Sequence, residues 1–396
     1  MHPSPLLERA DAVAGAPQDV DATVPAHYGS PLPEQAALVA GLALSALARD
    51  VVAVTGPDRR SWLTTLSSQV LTHLAPGDGG VETLLMDAQG HITHALAALD
   101  DGQVLWLVTE AGAGPALADF LDSMRFMLRV EATDRPDVQV LGAMGQGLEA
   151  LEEAARSVNL PDPHAGTALV GTWRDPWPGV VEGGTSYDLG RTRPHPGQDY
   201  RAGMVLVPRD AVTQVAEAFL GEEAPDGRRR LAGALAWEAL RVEAGRPRAA
   251  REVDARTIAH ELDWLRTAVH LNKGCYPGQE TIARTLNLGR PPRRLTILQL
   301  DGLGGRAPVP GAVVRLGERA VGTVTSVVRH HECGPMALAL LRRGVPSDAA
   351  LSVDLEELEA GGGPARVDAT QEILVAPEGR AQASPAQRPG AELRRR

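Results

Sequence analysis

From residue 51 the chain switches between two hydrophobic periods. VVAVTG (51–56) is a short apolar run rich in valine and predicts a β-strand. Trp62, Leu63, Leu66 and Val70 then recur at helical spacing, predicting a helix from 58 to about 71. ETLLMD (82–87) predicts a strand and Gln89-Gly90 a turn. HITHALAALD (91–100) and QVLWLVTE (103–110) predict a hairpin about Asp101-Gly102. GPALADFLDSMRF (114–126) predicts a helix and MLRVEATD (127–134) a strand. The order is β-α-β-β-β-α-β, an α+β unit with an antiparallel sheet.

The next stretch echoes the first loosely. VQVLGAMG (138–145), TALVGTWR (167–174) and MVLVPRD (204–210) predict strands, with helices over 146–158 and 211–221. These read as a second, related α+β unit, with too little residue-level similarity to prove a repeat. The Pro/Gly-rich stretch 175–200 predicts a long loop, and RRRLAGALAWEALRVEAG (228–245) a helix. After Arg293 the pattern becomes short β segments broken by Gly and Pro, which predicts a small barrel over 293–376. Pro291-Pro292 marks the boundary, so 26–292 is predicted as one α+β domain. Residues 1–25 and 377–396 lack periodicity and predict a flexible arm and a disordered tail.

Composition narrows the class. At 396 residues and 43% hydrophobic content the chain can bury a full core, and with 3% aromatics that core must be mostly Ala, Val and Leu. A net charge of −11 disfavours a broad nucleic-acid surface while leaving room for a local basic pocket. Two cysteines make no disulfide framework and fit a reducing compartment. No apolar run approaches the ~20 residues of a membrane span. The first residues lack an apolar signal core, and Glu8, Asp11, Asp19 and Asp21 argue against a transit peptide. The expectation is a cytoplasmic monomer.

One residue stands out. Lys273 is the only lysine among 39 basic residues, and it lies two positions before Cys275 and three before Tyr276. A codon bias that writes arginine wherever charge suffices makes the surviving lysine informative, since arginine differs in shape and cannot give up its proton near neutrality. If 273–275 is extended, the Lys273 and Cys275 side chains share a face. Pro277 and Gly278 suit a turn into a helix ending at Gly289, with Gln279 and Glu280 in its first turn. The ammonium and the helix N-terminus both favour a thiolate at Cys275. The bland alternative is a buried Cys, a surface Lys and an ordinary Glu280–Arg284 ion pair.

Other candidates carry less. His330-His331-Glu332-Cys333 has metal-capable groups without a second pair at ligand spacing, so a barrel-edge loop is favoured. His91 and His94 fall on opposite faces of a strand. Gly142 to Gly147 has the wrong spacing for a dinucleotide loop. Arg241 and Glu243 serve equally as a structural salt link or a ligand clamp.

LNKGCYPGQE (271–280) closely resembles the Lys-Gly-Cys-Tyr-x-Gly-Gln-Glu signature of the YgfZ-type folate-binding proteins, relatives of the glycine-cleavage aminomethyltransferase (T-protein). ALRVEAGRP, HELDWLRTAVHLN, GRPPRRLTILQLDG, VTGPDRRSWL and LLMDAQGHI extend the resemblance over roughly 26–376. It implies two α+β units about a central folate-binding cavity, followed by a β-barrel. It also implies Cys275 and Lys273 as the reactive pair, and Arg241, Glu243, Tyr276, Gln279 and Glu280 as residues toward tetrahydrofolate. True aminomethyltransferases carry an Asp-Asp pair where this chain has Ile92-Thr93-His94, and their equivalent motif lacks the cysteine. The implied function is therefore folate-dependent support of iron–sulfur enzyme maturation, including enzymes that thiolate tRNA, with iron–sulfur client proteins as partners. The rivals are one-carbon transfer to tetrahydrofolate and a folate-sensing scaffold that makes no bonds.

Overall fold

The valine-rich run at 51–56 supplies most of Arg49–Thr55, an inner strand of a five-stranded sheet. β-Branched residues suit a pleated surface packed on both sides. The spatial order is Val81–Met86, Ile92–Asp100, Val104–Glu110, Arg49–Thr55, Glu131–Asp134. With the helices Arg59–Leu66 and Gly114–Met124 this is the predicted β-α-β-β-β-α-β unit. Two of its elements are shorter than predicted. The first helix stops at Leu66, because Ser67 turns extended and Gln69 N–H bonds Thr83 Oγ1 at 3.1 Å on the next strand. The last strand begins only at Glu131, after a turn in which Phe126 takes φ +49°.

A second five-stranded sheet runs Gly171–Arg174, Ala202–Pro208, Val138–Met144, Ala43–Leu47, Arg230–Ala232. Its last pair is parallel and the others antiparallel. Leu141, Ala143, Val205 and Val207 bury one face under Leu148, Leu151, Val215 and Phe219 of the helices Gln146–Ser157 and Val212–Gly221. Two expectations need correction here, and two elements were not foreseen. Residues 230–232 are a strand, so the helix predicted from 228 begins at Ala234. The strand Ala43–Leu47 and the helix Pro31–Val39 carry no β-branched alternation that would have announced them. The flexible arm is docked: Ser4 N–H bonds Thr23 O at 2.7 Å, and Leu6 and Val24 are buried in this core.

The barrel is closed by six antiparallel strands in the order Arg293–Leu300, Gly334–Arg342, Arg319–His330, Val313–Leu316, Leu351–Leu358, Pro364–Ile373. Closure removes sheet edges. Leu298, Val314, Val324, Leu341, Val353 and Val367 fill its core. A bulge between Val324 and Ser326 pairs them with the successive residues Ala339 and Leu338, so their side chains take opposite faces of the strand, and both are buried.

The computed structural model describes residues 2–161, 166–187, 194–221, 224, 227–289, 291–303, 305–358, 364–377 and 379–385. The chain divides into two units, one of Met1–Thr83, Ala95–Pro176 and Tyr200–Leu240 and one of Leu84–His94, Trp177–Asp199 and Arg241–Arg396. Residues 241–292, expected with the α+β domain, thus fall in the unit of the barrel. The expected tail lies mostly outside the described residues. Its described part is tied down, with Gln382 N–H bonded to Ser186 O at 2.9 Å. Among the described residues no helix is long and apolar enough to cross a membrane.

Candidate functional site

The loop with the lone lysine is irregular, not a strand. Its shape follows from the four residues Tyr276 to Gln279. Gln279 N–H bonds Tyr276 O at 3.2 Å, closing a turn around Pro277-Gly278. Gly278, at φ +81° and ψ −5°, has the third-position geometry of a type II turn, which favours Pro at the second position and glycine at the third. The helix Gln279–Leu288 starts there and ends at Gly289, as predicted.

The loop sorts its side chains. Tyr276 is buried, Cys275 is exposed, and Lys273 is half-buried with Nζ 4.8 Å from the Tyr276 ring centroid. This corrects the shared strand face expected for Lys273 and Cys275: the ammonium rests on an aromatic ring, a cation–π contact. Burial nevertheless dominates at the lysine, lowering its pKa to about 8, and burial raises the Tyr276 hydroxyl to about 12. A lysine that shares its proton with solvent near neutrality is something arginine cannot supply. Gln279 Nε2 reaches Lys273 O at 3.4 Å, so Gln279 braces the loop, while Glu280 is exposed in the first helical turn.

A second turn seats on this loop. A Cβ on Gly278 would lie 2.8 Å from Gly90 Cα and 3.1 Å from Asp87 O. Thr281 Oγ1–H donates to Gln89 O at 2.7 Å. Asp87 organises the turn: Oδ1 accepts from Gln89 N–H at 2.9 Å and His91 N–H at 2.8 Å, and Oδ2 meets His91 Nδ1 at 2.9 Å. His91 also bridges to Ile258. His94 is half-buried, and burial lowers its pKa. Behind the helix, His260 is fully buried with Nε2 3.1 Å from Ile282 O, and burial drives its pKa to about 3.

Arg241 and Glu243 part company. Arg241 is buried; Nη1 pairs with Glu252 Oε2 at 3.0 Å, and Nη2 bonds Ser326 Oγ at 2.6 Å. Ser326 Oγ–H donates to Glu252 Oε1 at 2.6 Å, and Arg248 N–H donates to Glu252 Oε2 at 2.8 Å. The barrel bulge aims Ser326 into this network, and the salt link that Arg241 makes runs to Glu252 rather than to Glu243. Glu243 is half-buried and takes no part in it. Burial raises its pKa, and the nearby Glu372, Glu332 and Asp199 raise it further.

The stretch predicted as a long loop is pinned rather than loose, with 188–193 outside the described residues. Trp177 is fully buried, bonds Ala244 O through Nε1–H at 2.9 Å and has Arg246 and Arg266 about its ring at 5.1 and 5.3 Å. His195 Nε2 lies 3.1 Å from Asp263 Oδ2, and Asp263 is buried in a left-handed conformation at φ +58°. No spacing in the sequence links these residues. His330 Nδ1 accepts the N–H groups of Glu332 and Cys333, so that segment is a barrel turn, and no group of metal ligands occurs among the described residues.

No family model matches the chain. The tRNA-modifying protein YgfZ of Cronobacter sakazakii is 27% identical over 317 residues, 75% of this chain and 84% of that protein. The YgfZ of Yersinia pestis strain Pestoides F is 32% identical over 151 residues, 36% of this chain and 44% of that one. A putative chloroplastic transferase of Arabidopsis thaliana is 40% identical over 95 residues, so the chain spans only 21% of its length. Among solved structures, the glycine cleavage system aminomethyltransferase T of Bartonella henselae superposes with a TM-score of 0.67 at 19% identity, covering 95% of this chain and 97% of that one. The protein is therefore YgfZ-like in sequence and aminomethyltransferase-like in fold.

Proposed function

We propose that the protein binds a reduced folate and supports a folate-dependent step in the maturation or repair of iron–sulfur enzymes, and through them tRNA modification. The observation that carries it is the loop itself: Tyr276 and Gln279 fix the backbone, Lys273 is held half-buried over a ring, and Cys275 is left exposed. A thiol so displayed serves exchange or transient ligation, whereas a thiol kept for packing is buried. The YgfZ relatives are named as tRNA-modifying proteins, which agrees with this role.

The donor set suits the pterin end of a folate. Glu243 is a half-buried carboxyl outside the Arg241 network, and its oxygens can accept from the N–H groups of a pterin. Bound folate would supply the one-carbon or redox chemistry; Glu243 would orient the ring, and Tyr276 would provide an apolar face beside Lys273. Arg241 is committed to Glu252 and supports the helix end that carries Glu243. The absence of a carboxylate at Ile92-Thr93-His94 continues to weigh against aminomethyl transfer.

Calorimetry with tetrahydrofolate should give saturable binding that Glu243→Ala weakens about tenfold. Cys275→Ser should bind folate normally and fail to restore an iron–sulfur-dependent activity in cells lacking the protein. Full restoration by Cys275→Ser with intact folate binding would support the scaffold; no binding at millimolar folate would remove the folate reading altogether.

A further inference from the structure

We propose that the turn at 125–128, with the end of the helix before it, is a docking knob for a protein partner that offers an apolar pocket with a basic rim. The partner's kind, an iron–sulfur client protein, rests on the function proposed above. Its chemistry is read from the knob.

Five large apolar side chains stand in solvent between residues 120 and 128. Phe126 is 90% exposed and Met127 85%, and Phe120, Met124 and Leu128 keep 40 to 44% of their surface. Elsewhere the chain buries these residue types. Its third phenylalanine, Phe219, is buried, as are Met86, Met144, Met204 and Met336. Apolar side chains gathered in this way mark an interaction site. With Arg125 and Arg129 among them, the composition is that of a protein interface, in which aromatic residues, methionine and arginine are enriched.

The backbone is strained to hold them there. Leu128 N–H bonds Arg125 O at 2.9 Å, so Phe126 and Met127 take the two central positions of a tight turn. Phe126 has φ +49°, in the left-handed region that turns reserve for glycine at the first central position. Glycine there would relieve the strain and remove an exposed ring. Phenylalanine is unfavourable on both counts within this chain, so its gain lies in what it touches outside the chain.

The knob is also held still. On one flank Trp62 Nε1–H bonds Met124 O at 3.4 Å. On the other, Arg129 bonds Asp58 through its backbone N–H at 3.0 Å and through Nε and Nη2 at 3.1 and 3.0 Å. A rigid projection loses little entropy on docking.

Charge and area select the occupant. Asp58, Asp119, Asp122 and Glu131 outnumber Arg125 and Arg129, and the two arginines pair with Asp122 and Asp58. The acidic surplus would be repelled by an anionic lipid surface. A two-fold contact with a second copy would set that surplus against itself. A basic rim on a different protein complements it. Five partly exposed side chains supply roughly 500 Å². That suits the centre of a standard interface and falls short of the faces that obligate homodimers bury.

The test places a photo-reactive benzophenone amino acid at position 127 of the full-length chain, in cells lacking the protein, and irradiates them. The expected adduct joins the chain to an iron–sulfur protein, and Phe126→Asp in the same chain lowers its yield about tenfold. In parallel, Phe126→Gly combined with Met127→Ser should restore the iron–sulfur-dependent activity about tenfold less well than wild type. The melting temperature of that double variant should stay level or rise, and its affinity for tetrahydrofolate should be unchanged. A lowered melting temperature would return these side chains to a packing role and overturn the proposal. So would full restoration by the double variant. Adducts formed only with a second copy, with lipid or with a protein that carries no iron–sulfur cluster would also overturn it, as would no adduct at all. The crosslink needs neither folate nor Cys275, so its failure and a failure of the calorimetry above are separate results.

Discussion

Arg241 and Lys273 belong to the same unit, and each is a cation with an aromatic or anionic neighbour, yet they are opposites in construction. Arg241 is buried, and Glu252, Ser326 and the carbonyl of Arg246 surround its guanidinium. Lys273 is half-buried over a neutral ring, and burial depresses its pKa. A closed polar network fixes a structure; a cation left on a ring beside an exposed thiol leaves capacity for chemistry. From sequence Lys273 stood out as the partner of Cys275, while Arg241 served equally as a salt link or a ligand clamp. Their partners separate them, because Glu252 and Ser326 lie 11 and 85 residues from Arg241.

The largest effect should come from breaking the closed network. Glu252→Gln leaves the Arg241 charge buried without its counter-ion, and losing one member of such a pair costs about 4 kcal/mol. Urea unfolding should show that loss as a lower midpoint with an unchanged slope. A loss below about 1 kcal/mol would place Arg241 among surface-like pairs and remove the contrast.

The next effect tests what shapes the loop. Gly278→Ala must take a left-handed conformation and push its methyl against Gly90 Cα. The strain and the overpacking together should cost about 3 kcal/mol. Gly274, with open space where its Cβ would stand, should accept alanine within about 0.5 kcal/mol. Equal tolerance at both glycines would mean that the 87–91 turn does not seat on the loop.

What was legible followed from local chemistry. Pro277-Gly278 and Gly289 announced the turn and both ends of the following helix, and the short Gly-broken runs after Arg293 announced the barrel. What was hidden depended on distant partners. Residues 230–232 read as helix because their parallel pairing with 43–45 lies far back in the chain. Residues 67–71 leave the helix because Thr83 offers Gln69 a better bond. Asp87 and His91 stood four residues apart about a Gln-Gly turn, but His91 was weighed only against His94, so their bond was not foreseen.

Cys275→Ser should be nearly silent in stability, within about 0.5 kcal/mol, because the thiol is exposed and its neighbours hold the loop without it. The same substitution should abolish most cellular function. A stability loss of 2 kcal/mol or more would return the thiol to a packing role.

The pH dependence at Lys273 is the most telling. The Lys273 pKa is about 8 in the folded chain against an ordinary value of 10.5, so the unfolded chain holds this proton more tightly. Stability from this group is therefore lowest below pH 8 and rises as pH climbs from about 8 towards 10.5, where the unfolded chain still carries the proton and the folded chain has released it. Lys273→Met removes the titration, so the difference in melting temperature between wild type and variant should shrink across that window, with Met the more stable at pH 7. Lys273→Arg keeps the charge at every pH and cannot release it, so its melting curve should stay low throughout. A wild-type and Lys273→Met pair that melt in parallel from pH 7 to 10.5 would show that the ammonium is not desolvated.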